Sequence, residues 1–88
     1  MKLIIAITRD EDCEIIIGAL IAKEYRVTRI ASTGGFLRRG MTTMMIGVEE
    51  EKVEDVIATV RNNFTSSSEI GKRHTTIFVL NVDQFTQV

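Results

Sequence analysis

The sequence predicts an α+β fold in which two helices lie on one face of a four-stranded antiparallel sheet. Three observations predict it. Four runs of strand length are rich in isoleucine, valine, threonine and methionine. Two longer segments carry apolar residues at helical spacing. These pieces follow one another as β-α-β-β-α-β, an order in which both helices cover the same side of the sheet.

Each element has its own signal. Residues 2–8 (KLIIAIT) are an apolar run of strand length. Asp10 is placed to cap a following helix, and Asp10 and Asp12 both read as capping groups. Over 11–24, Cys13, Ile16, Ile17, Leu20 and Ile21 recur at helical spacing and predict an amphipathic helix. Residues 25–33 (YRVTRIAST) are β-branched and alternating, and Gly34–Gly35 end that strand. Residues 41–48 (MTTMMIGV) make the third strand. Glu49, Glu50 and Glu51 suit a helix start, and Val53, Val56, Ile57, Val60 and Phe64 carry a helix over 50–63. Residues 64–74 are polar and loop-like, and 75–82 (TTIFVLNV) form the fourth strand. The arrangement is ferredoxin-like.

With 88 residues and no break in composition, residues 1–88 read as one domain. The hydrophobic share of 44% and charged share of 26% are those of a globular protein. A net charge of −1 supplies no field to draw nucleic acid or a membrane surface. One cysteine, Cys13, excludes an internal disulfide framework and a cysteine-built zinc site. The first residues carry too short an apolar run for a signal peptide or membrane span, so a cytoplasmic protein is expected. Strands 1 and 4 are apolar at nearly every position rather than every second one. A sheet with one wet face alternates, so the face away from the helices is expected to meet another subunit.

Alternation puts Arg26 and Thr28 on that open face, opposite Tyr25 and Val27. A guanidinium fork and a hydroxyl suit phosphate, although a lone strand arginine is more often solvated or ion-paired. Close by runs STGGFLRRG (32–40). Its diglycine can expose backbone N–H groups to an anion, and Phe36 and Leu37 are apolar at a loop tip. The stretch reads equally as a ligand loop or as a plain hairpin loop. Gly47 inside a strand marks either a bulge or a ligand's close approach. Phe78 reads as a core or interface aromatic, and Gln87 as a polar residue near the end of the chain. Catalytic constellations are thin: His74 is the one histidine and reads as a solvated loop residue rather than a general base or metal ligand, and Glu49–Glu51 with Glu54 and Asp55 read as a solvated helix start rather than a metal site. No metal set, cofactor motif or enzymatic activity is expected.

The stretches MKLIIAI, YRVTRIASTGGFLRRG (25–40), the TT…IGVEEEKVEDV stretch (42–56) and TTIFVLNVDQFTQV (75–88) resemble the PII-like cyclic di-AMP receptors of bacteria. That resemblance implies a non-enzymatic signalling homotrimer that binds cyclic di-AMP in the clefts between subunits and signals to a downstream protein. It implies that Arg26 and Thr28 meet phosphate and ribose, that Gly35, Phe36 and Leu37 cover an adenine, and that Gly47 offers its backbone. Phe78 and Gln87 would approach from the neighbouring strand and the tail. Two features depart from the family: Met41 stands where an asparagine is usual, and the 64–74 connection is short. The alternative is a divergent PII-like paralogue that takes another nucleotide or none and acts as a protein-interaction trimer. An RNA-binding sheet of this topology would need exposed aromatics on strands 1 and 3, and neither has any.

Overall fold

Alternation along the first strand decides where the core lies. In β1 (Lys2–Arg9), Ile4, Ala6 and Thr8 are fully buried, while Leu3, Ile5 and Ile7 are only partly covered. The computed structural model describes residues 1–31, 40–63 and 75–88, with nothing described of the Ala31 side chain. After β1 come α1 (Asp10–Ala22), β2 (Val27–Ala31), β3 (Met41–Val48), a 3₁₀ turn (Glu50–Lys52), α2 (Val53–Arg61) and β4 (Thr76–Asn81). The strands pair antiparallel in the order β2-β3-β1-β4. This is the expected ferredoxin-like arrangement.

The core fills the space between helices and sheet. Met44, Ile46 and Val48 of β3 join Ile4 and Ala6 from below. Cys13, Ile16 and Leu20 of α1, with Val53, Val56 and Val60 of α2, close it from above. Tyr25, Val27 and Ile57 pack against its rim. Cys13 is a free, buried thiol.

Several sequence expectations change at element ends. Asp10 and Asp12 do not cap α1: Arg9 occupies the cap position, and no side chain caps it. Asp10 instead accepts a bond from the Thr42 hydroxyl, and its N–H donates to Gly40 O at 2.8 Å. Asp12 is buried and takes Arg9 Nε at 2.9 Å. These bonds, charge-assisted at the two carboxylates, tie the helix start to β1 and to the entry of β3. Gly40 holds φ +82°, a left-handed value that favours glycine. Ile21, expected in the core, is 57% exposed, because α1 ends at Ala22 and Glu24 turns the chain with φ +68°. Helix α2 starts at Val53, three residues after the expected start, since Glu50–Lys52 wind as a 3₁₀ turn. β2 likewise begins at Val27 and not at Tyr25. Gly34–Gly35, Phe64 and His74 lie outside the described residues.

Candidate functional site

The sheet face that the helices leave open is apolar along its middle. Cross-strand register sets Ile5 between Met45 and Phe78, and Leu3 between Gly47 and Leu80. Toward β2 the face turns polar: Thr28 stands opposite Met45, and Arg26 lies just ahead of the strand. Arg26 and Thr28 are both exposed, as alternation predicts.

Beside Leu3 the face has a hollow, and its cause is Gly47. A Cβ added there would meet no atom within 4 Å. Gly47 is no bulge: it pairs in register with Leu3, and the irregularity of the sheet falls between Arg29 and Ala31. After β4, the Val82 N–H donates to Met1 O at 3.1 Å, and the tail then doubles back over the open face. Tail and sheet line a half-open cavity of about 480 Å³. Arg26, Thr28 and Met45 line one side, and Gln84, Phe85 and Gln87 the other. Arg26 is the one charged side chain among its described lining residues, and no described carboxylate pairs with it. An anion entering the cavity meets an available guanidinium fork. A neighbouring hollow of about 360 Å³ shares Arg26 and Gly47 and is lined by charges of both signs, Glu24 and Glu49 against Arg26 and Lys52.

A polar latch holds the chain just before Arg26. The Tyr25 hydroxyl donates to Asp55 at 2.6 Å, and Lys23 Nζ donates to Asp55 at 3.1 Å and to Thr59 at 2.9 Å. The bond to Asp55 raises the Tyr25 hydroxyl above its ordinary pKa, with burial and the Asp55 charge adding to it. The same bond, with Lys23, holds the Asp55 carboxyl below the usual carboxylate range. These contacts join the α1–β2 turn to α2 and fix the entry of β2.

Four of the sequence-predicted site residues thus line one cavity: Arg26, Thr28, Gly47 and Gln87. Phe78 lies on the same open face, opposite Ile5 and outside the cavity, 51% exposed. Met41 is at the far end of β3, opposite Arg9, about 20 Å from Gly47 at strand spacing. Gly35, Phe36 and Leu37 lie outside the described residues. Sequence reasoning missed Leu3, Met45 and the tail residues Gln84, Phe85 and Thr86. The two strand residues could be read from alternation, which gives them the same face as Thr28. The tail had no such signal, because a segment without a period does not reveal where it folds.

Fold and site together define a PII-like α+β protein with a ligand-sized cleft on its open sheet face. The chain belongs to the cyclic-di-AMP receptor family, whose description matches residues 1–75. It is also similar to a protein of unknown function from Pediococcus pentosaceus ATCC 25745, whose crystal structure superposes with a TM-score of 0.80 at 36% sequence identity. That match covers 99% of this chain and 96% of the other.

Proposed function

We propose that this protein is a non-enzymatic signal-transduction receptor that binds cyclic di-AMP between the subunits of a homotrimer, in the bacterial cytoplasm. The observation that carries the reading is the cavity on the open face, where Arg26, with no described carboxylate partner, stands among neutral hydrogen-bonding groups. A cyclic dinucleotide presents phosphates, ribose hydroxyls and two base edges. Arg26 and Thr28 take the phosphate–ribose part, the Gly47 backbone lies open to the ligand, and the Gln87 amide can both donate and accept at a base edge. Gly35, Phe36 and Leu37 cover an adenine, and Phe78 approaches from the adjoining strand.

Two features support a site shared between chains. The apolar row of Ile5, Phe78 and Leu80 is half covered within one chain, and a second copy of the same sheet face would complete its burial. Met41 lies about 20 Å along β3 from Gly47, so a compact ligand that meets both meets them on different subunits. An amide at position 41 would read an adenine edge, and the thioether of Met41 widens the choice of base. Signal output then follows from changed contacts with a downstream protein when the cleft fills. Isothermal titration of cyclic di-AMP tests the reading, with cyclic di-GMP as the comparison. Saturable heat at one ligand per chain is expected. Absence of binding by cyclic di-AMP at millimolar concentration contradicts the reading and leaves a protein-interaction trimer or a receptor for another nucleotide.

A further inference from the structure

The tail wall of the larger cavity holds a side chain with no assigned role. Phe85 stands four residues beyond the end of β4, and Val82 makes the last backbone hydrogen bond of the chain among the described residues. Phe85 supplies the one aromatic ring among the described residues that line the cavity. The ring is 53% exposed although Leu3 and Met45 line the same space. A phenylalanine whose role was to pack on those residues would hide more of itself, and about half of this side chain's surface is left for another molecule to cover. The floor of the cavity at Gly47 is open, with room left by the missing side chain. The same cavity is lined by one cation, Arg26, and by Gln84 and Gln87. A half-exposed ring that shares a cavity with an available guanidinium and neutral amides fits a flat heterocycle attached to a phosphate.

We propose that Phe85 stacks on a base of the bound nucleotide, carried on a tail that folds over the ligand from its anchor at Val82. The assignment rests on the receptor reading and names the residue that grips the base on this wall. Phe85→Ala, Phe85→Leu and Phe85→Trp are compared with the wild type by titration with cyclic di-AMP, with light scattering to check assembly. Phe85→Ala and Phe85→Leu are expected to weaken binding about fivefold to hundredfold at unchanged mass, leucine failing because it fills space without a π face. Phe85→Trp is expected to keep the affinity. Because the chain has no tryptophan, its fluorescence also reports stacking directly, as a ligand-dependent quench. If the wild type binds and Phe85→Leu binds equally, or the tryptophan emission ignores the ligand, the assignment of Phe85 is overturned and the receptor reading stands. A wild type that does not bind overturns both.

Discussion

The two faces of this sheet are built from the same residue types and meet different surroundings. On the helix side, Ile4, Met44 and Ile46 are 0% exposed. On the other side of the same strands, Leu3, Ile5 and Met45 are only partly covered, and the neighbouring edge strand β4 leaves Phe78 51% exposed. Two arginines sharpen the contrast. Arg29 points to the helix side and forms an ion pair with Glu14 of α1. Arg26, three residues earlier and on the opposite face, has no described carboxylate partner. Over the central strands β1 and β3 the helix side is closed within one chain, while on edge strand β4 Val79 stays 43% exposed. The open side has apolar surface and a cation that one chain does not satisfy, which is the condition of a surface made for other molecules.

Mutations separate the two faces most sharply at their centres. Ile46→Ala opens a cavity in the closed core and should cost about 2–5 kcal/mol of folding stability, measured by chemical denaturation. Phe78→Lys should leave the single-chain fold nearly intact, since that side chain is already half exposed. In the proposed trimer it would bury an unpaired ammonium against apolar neighbours, so the mass by light scattering should fall from three chains to one. A Phe78→Lys protein that keeps its trimeric mass would show that the open face is not the subunit interface.

The arginine pair gives the next effect. Arg26→Ala should weaken cyclic di-AMP by about 1.5–3 kcal/mol, the worth of a hydrogen bond to a charged group, without shifting the melting temperature. Arg29→Ala removes an exposed ion pair and should leave affinity unchanged. Equal losses from both would mean that general positive charge, not the cavity, attracts the ligand.

Gly47→Val tests the hollow itself. Its new side chain meets no protein atom near its Cβ, and valine suits a strand. Stability should hold or rise while the ligand loses its space. Titration that gives unchanged affinity would place the ligand elsewhere.

How much of this was legible in the sequence follows the same division. The element order, the third strand at Met41–Val48 and the facing of Arg26 and Thr28 came from periodicity, which reports directly on which side a residue faces. Helix ends were misread because Asp10 and Asp12 resemble caps by composition. Their carboxylates are used instead by Thr42 and Arg9, partners fixed by tertiary structure. Gln87 was singled out only through family resemblance, and Phe85 not at all. A tail without secondary structure has no period to show that it returns to the sheet.

The smallest expected effect is at the latch near Arg26. Asp55 titrates below its ordinary value, so its contribution is present above an unfolded pKa of about 3.9 and is lost as pH falls through the folded value. Tyr25 titrates above its ordinary value, so its contribution is present below about pH 10 and is lost as pH rises through the folded value. Tyr25→Phe should therefore lower the melting temperature slightly at neutral pH. The difference from wild type should shrink toward both extremes in a pH series of melts. A difference that is flat with pH would mean that the hydroxyl–carboxylate bond contributes nothing.

The central claim is that the open-face cavity holds the nucleotide, and backbone amide chemical shifts during titration with cyclic di-AMP test it most directly. The account predicts saturable shifts at Arg26, Thr28, Gly47 and Gln87, with the amides of the buried α2 residues Val56 and Val60 little changed. Shifts confined to the helices, or none at saturating nucleotide, would contradict it.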